Sequence, residues 1–137
     1  MATPTKTIRL RPTLRAEIER IARRTRRSFS EAAQILLEEA IRARDCPGIY
    51  FGDEPAGRVA KVAGTGLGVW EVIRDYKAVR GNAKKLRRQL PHVSTAQLKA
   101  ATMYYARFPQ EIDAEIADDI EAHADGRAMQ RAIARRA

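Results

Sequence analysis

The chain is 137 residues long, with 45% hydrophobic and 31% charged residues, the balance of an ordinary globular protein rather than of a disordered or fibrous one. A formal net charge of +9 and a pI near 10.3 suit a polyanionic partner, nucleic acid foremost, and no run of about 18 apolar residues exists to span a bilayer. One cysteine, Cys46, excludes an internal disulfide framework, and with only His92 and His123 beside it no metal site or cofactor is expected.

The basic residues are unevenly spread. Residues 1–44 carry 11 Lys or Arg against 5 Asp or Glu, residues 45–109 again 11 against 5, and residues 110–137 carry 4 against 7. The opening Met-Ala-Thr-Pro-Thr-Lys lacks the apolar core of a secretion signal, so a cytoplasmic location without membrane contact is expected.

The first patterned stretch is Thr5 to Arg11, where Ile8 and Leu10 alternate with Thr5, Thr7, Arg9 and Arg11 in the period-two pattern of a half-buried strand. No second strand follows within the next 35 residues. A lone strand must pair, and the economical partner is the same strand of a second copy, which predicts a homodimer.

Pro12 suits the first turn of a helix in which Leu14, Ile18, Ile21 and Ala22 recur at helical spacing, and that helix runs out at Thr25-Arg26-Arg27. Ser28 then caps a second helix, with Glu31 completing a capping box. Its stripe of Phe29, Ala32, Ala33, Leu36, Leu37, Ala40 and Ile41 is nearly ideal. Leu36, Leu37 and Ile41, with Ile8 and Leu10, are the expected dimer core. The free N–H groups and positive dipole end of this helix make a phosphate clamp framed by Ser28, Phe29 and Ser30, beside which Arg11, Arg26 and Arg27 add sequence-blind affinity.

One strand, a short helix, a tight turn and a longer helix within about 40 residues resemble the ribbon-helix-helix DNA-binding proteins of the Arc, MetJ and CopG type. The resemblance implies that the paired strands of a dimer enter the major groove of double-stranded operator DNA, with Thr5, Thr7 and Arg9 touching base edges. The chemistry suits that role, since Arg donates two parallel bonds to guanine and Thr can bond or pack on thymine.

Asp45-Cys46-Pro47-Gly48 breaks the second helix and sets the first domain at residues 1–45. Beyond it, 49–51 and 58–62 suggest two strands joined by residues 52–57. Gly64-Thr65-Gly66-Leu67-Gly68 leads into a helix carrying Val69, Val72, Ile73 and Tyr76 on one face. These glycines lack the following Lys-Ser or Lys-Thr of a phosphate loop and serve a tight turn instead. Gly81 ends that helix, Asn82 caps a basic one stopped by Pro91, and Ser94 with Gln97 caps another bearing Leu98, Ala101 and Tyr105, the last two helices forming a helix-turn-helix-like pair.

Pro47, Gly48, Ile49 and Phe51, then Gly57, Arg58, Gly64, Thr65, Val69 and Trp70, then Tyr104, Tyr105, Pro109, Glu111, Ile112 and Asp113 resemble the VapB-like antitoxins of bacterial toxin-antitoxin pairs. Relatives carry Arg-Ile-Pro where this chain has Gly66-Leu67-Gly68, so the role of that arginine does not transfer. The resemblance implies a VapB-like domain over residues 46–109, with a hairpin and three helices.

Residues 110–137 are expected as a separate C-terminal helical segment. Ile112, Ile116 and Ile120 form one stripe, Gly126 interrupts, and a second short helix carries Arg131, Arg135 and Arg136. Such a stripe can lie in a partner's groove. Toxins paired with VapB-like antitoxins are commonly PIN-like ribonucleases with a carboxylate metal site, and the resemblance implies that one of these arginines competes there by charge-assisted bonds.

The expectation is a mostly α chain: a dimeric ribbon-helix-helix, a hairpin with a helical bundle, and a C-terminal helix. Its expected function is that of a non-enzymatic antitoxin that represses its own operator and neutralises a cognate toxin. The alternative is a stand-alone regulator without a toxin. A nuclease using Asp113, Glu115, Asp118 and Asp119 is disfavoured, because these carboxylates are spread around one helix with no base or nucleophile near.

Overall fold

The computed structural model describes residues 3–55 and 57–136. Among them are six helices and one two-stranded antiparallel sheet, divided between two compact units, 1–42 and 43–137. The sequence divides instead at 45/46, and it sets residues 110–137 apart from the unit to which they belong.

In the first unit, residues 3–11 form no hydrogen-bonded strand within the chain. Helix α1 (Pro12–Thr25) starts on Pro12, after Arg11 in extended backbone. It closes on Arg26, whose φ of +55° turns the chain so that the Arg27 N–H reaches the Ala22 carbonyl at 2.9 Å. Helix α2 (Phe29–Asp45) begins where the Glu31 N–H donates to Ser28 Oγ at 3.1 Å. Ile18, Ala22 and Ala32 are buried together, with Leu10, Ala33 and Leu36 partly covered beside them. That is a small core.

In the second unit, β1 (Ile49–Glu54) pairs with β2 (Gly57–Val62) from Ile49↔Val62 out to Glu54↔Gly57. The pairing runs further than the sequence suggested, and the six-residue connection shrinks to the turn between Glu54 and Gly57. Two features permit this: Gly57 takes a φ of +129°, and ion pairs cross the sheet from Arg58 to Asp53 and from Lys61 to Glu54.

The glycine turn that follows is held from within. Thr65 Oγ1 donates to the Val62 carbonyl at 2.8 Å and accepts from the Leu67 N–H at 3.0 Å. It delivers the chain to α3 (Val69–Ala78), where the Glu71 carboxylate accepts the Gly68 N–H at 2.7 Å. Asn82 caps α4 (Ala83–Gln89) by accepting the Lys85 N–H. Ser94 and Gln97 cap α5 (Thr95–Arg107) reciprocally, and Gln97 Nε2 also donates to the Ala63 carbonyl at 3.0 Å, tying the glycine turn to α5.

The core of this unit gathers Val62, Val69, Ile73, Leu86, Val93 and Tyr104, joined by Ile112 from the last helix. Helix α6 runs unbroken from Pro109 to Arg136, so Gly126 does not interrupt it. A helical glycine costs about 1 kcal/mol relative to alanine, and the alanines at 122, 124 and 128 with Arg127 favour continuation.

Candidate nucleic-acid interface and partner helix

Every residue the sequence assigned to DNA is exposed: Thr5, Thr7, Arg9 and Arg11 on the N-terminal segment, and Arg26, Arg27, Ser28, Phe29 and Ser30 at the α1–α2 junction. The junction owes its shape to the left-handed Arg26, which places two adjacent guanidinium side chains at the start of α2. Ser28 takes the Glu31 N–H, so the N–H groups of Phe29 and Ser30 remain without an intrahelical acceptor. Donors of that kind, backed by the dipole of a 17-residue helix, favour an anion.

The N-terminal segment and α2 share one feature that the assignment did not require. Thr7, Ile8 and Leu10 line a cleft of about 690 Å³ together with Leu14, Phe29 and Leu37. The expected dimer core is divided within the chain: Leu10 and Leu36 are partly covered, while Ile8, Leu37 and Ile41 stand exposed. An apolar rim of this kind, continuous with the cationic junction, is a surface for association.

The assignment of Ile112 and Ile116 to a partner is corrected. Ile112 is wholly buried in the chain's own core, and Ile116 packs partly against it. Ile120 is exposed, as is every described residue after it through Arg136, including Met129, Ile133, Arg131 and Arg135. Half of α6 is therefore docked, and the other half, roughly 24 Å long at 1.5 Å per residue, offers its side chains to solvent.

Three contacts that sequence patterning missed fix the docked half. Asp113 accepts from Lys77 Nζ at 2.9 Å and from the Tyr105 hydroxyl at 2.8 Å. These bonds hold Lys77 above the usual lysine range and Asp113 below the usual carboxylate range. Asp119 accepts from Arg74, whose guanidinium also lies 5.2 Å from the Trp70 ring centre. Tyr104, buried against Phe51 and Phe108, donates its hydroxyl to Glu111 at 2.5 Å. The signal available in the sequence was only the run of carboxylates at 111, 113 and 119; their partners lie up to 45 residues away.

Glu115 is the exception among these acids. Burial, then the nearby Glu111 and Asp118 carboxylates, push it up to about 7, and its Oε2 is buried without a hydrogen-bond partner among the described residues. No group of three or more His, Cys, Asp or Glu among the described residues is placed to share a metal ion, and no described helix is long and apolar enough to cross a membrane. The chain matches no family model, and no curated protein or solved structure is significantly similar to it.

Proposed function

We propose that the chain is a dimeric DNA-binding antitoxin, in which the N-terminal segments of two copies pair as a ribbon on operator DNA and the distal half of α6 engages a cognate toxin. One observation carries the reading: both ends of the chain expose apolar side chains that no described residue covers, at the cleft of the first unit and along α6 beyond Ile120. A 42-residue unit with three buried side chains is too small a core to stand alone, and a second copy laid on Ile8, Leu37 and Ile41 would complete it. Pairing would turn Thr5, Thr7 and Arg9 of both copies toward the major groove, with Arg26, Arg27 and the start of α2 on the flanking phosphates.

The distal α6 supports the toxin half of the reading. It presents Ile120, Met129 and Ile133 with Arg131, Arg135 and Arg136 on a helix already formed, the arrangement of an anchor that lies in a groove and offers cations to an acidic, PIN-like ribonuclease site.

Capture of tagged protein from its host in mild salt tests this reading. A stoichiometric ribonuclease partner, lost on deletion of residues 121–136, is the expected result. A dimer that binds operator DNA and retains no protein would replace it with a stand-alone regulator. For the DNA half, Arg9→Ala should weaken operator binding by about 1–3 kcal/mol and relax one position per half-site, whereas Arg27→Ala should weaken all sequences alike. Equal losses on operator and random duplex for Arg9→Ala would refute the base-contact assignment.

A further inference from the structure

Between Tyr76 and Gln110 the chain carries eight Lys or Arg and not one Asp or Glu, a bias sharper than that of the first unit. Half of these cations sit on α4, which is fixed by a wholly buried Leu86 and by the Asn82 cap. At about 100° per residue, Lys84, Lys85, Arg87 and Arg88 fall within an arc of roughly 160° centred opposite Leu86. All four are exposed, and none forms an ion pair with a described residue. Lys84 with Arg87, Lys85 with Arg88, and Lys84 with Arg88 are like-charged pairs at i,i+3 or i,i+4, which repel one another in a helix of only seven residues. The two other cations near an acid are already used, Lys77 by Asp113 and Arg107 by Asp45.

We infer that the outward face of α4 is a second, sequence-blind contact for the phosphate backbone of duplex DNA, separate from the N-terminal interface. The chemistry of the face selects this partner. A membrane-surface helix needs an apolar side to bury, and the apolar residues of this helix point inward, Leu86 buried and Leu90 half-buried. Single-stranded nucleic acid is held largely by stacking on aromatic rings, and α4 has none. An interface with an acidic protein would be built around an apolar core, which this face also lacks. Four cations on a rigid helix suit a regular row of phosphates, whose released counterions supply the driving force.

The contact does not depend on the N-terminal reading, and the experiment keeps the two apart. The full chain, with Arg9→Ala and Arg27→Ala to silence the first unit, is compared with the same chain also carrying Lys84→Gln, Lys85→Gln, Arg87→Gln and Arg88→Gln. Binding to a random-sequence duplex is followed by fluorescence anisotropy across a salt series. The expected result is at least a tenfold loss of affinity at low salt and a fall of about 2–4 in the slope of log affinity against log salt, close to 0.9 per phosphate released. The thermal midpoint should hold, because the substituted side chains are exposed. A charge-preserving exchange (Lys84→Arg, Lys85→Arg, Arg87→Lys, Arg88→Lys) should keep the slope. An unchanged slope in the folded glutamine variant overturns the inference, as does a loss confined to single-stranded DNA or to phosphatidylserine vesicles.

Discussion

Leu37→Ala separates a dimer core from a solvated helix face. Leu37 is 56% exposed within the chain and lines the cleft beside Ile8 and Leu10. Burying a leucine completely contributes about 1.5–3 kcal/mol, so the half still exposed is worth ~1–1.5 kcal/mol when a second copy covers it. A symmetric interface counts the residue twice, which gives ~2–3 kcal/mol and a dimer weakened roughly 30- to 150-fold. Sedimentation equilibrium over a range of concentrations measures this directly. Ile18→Ala is the contrasting variant, because Ile18 is 7% exposed and belongs to the chain's own core: it should cost ~2–5 kcal/mol of folding and loosen the first unit itself. Operator affinity should fall with the dimer in Leu37→Ala, since one strand cannot form a ribbon. A dissociation constant within twofold of the parent's, or a parent that stays monomeric at every concentration, refutes the reasoning.

Two further outcomes concern the second unit. Glu115 stands at about 7 against an ordinary value of 4.5, so its protonated form is the one the fold favours; its stabilising contribution is full below pH 4.5 and lost as pH rises through 7. Glu115→Gln should therefore be more stable than the parent by about 1–2 kcal/mol at pH 8, allowing for partial contact with solvent, and indistinguishable at pH 4, as read by urea midpoints; a pH-independent difference would refute this. Gly64→Ala places a side chain at a φ of +82° and a Cβ 2.9 Å from Gln97 Nε2, whose displacement also loosens its bond to the Ala63 carbonyl. The expected loss is ~2–3 kcal/mol, and a loss below ~0.5 kcal/mol would mean that the turn relaxes around the methyl group.

The parts of the fold legible in the sequence are those decided within one turn of the chain. Pro12, Ser28, Asn82 and the Ser94–Gln97 pair act on neighbours three or four residues away, and the helices begin where these residues place them. Gly126 misleads because a breaker is judged against its flanks, and these are alanine-rich. The extent of the hairpin escapes for a different reason, since Asp53 and Glu54 resemble loop residues until their partners Arg58 and Lys61 stand across the sheet. Within the candidate sites, the exposure of the N-terminal cations follows from their type. The burial of Ile112 does not, because it depends on Lys77 and Arg74, 36 and 45 residues from the acids they hold.

That division of α6 also sets how a partner would meet it. Starting a helix is its costly step, and an isolated segment of the length of residues 121–136 is marginal in water. Here the start is already made: Asp113, Asp119 and Ile112 anchor the proximal half to the bundle, and the distal half extends an existing helix by propagation alone. Its side chains keep their freedom while its backbone is largely ordered before contact. A partner that covers Ile120, Met129 and Ile133 therefore meets a helix already wound and loses less of its binding energy to ordering than it would with a coil. The i,i+4 contacts of His123 with Asp119 and of Arg127 with the His123 carbonyl carry the helix across Gly126, from the anchored half into the exposed one.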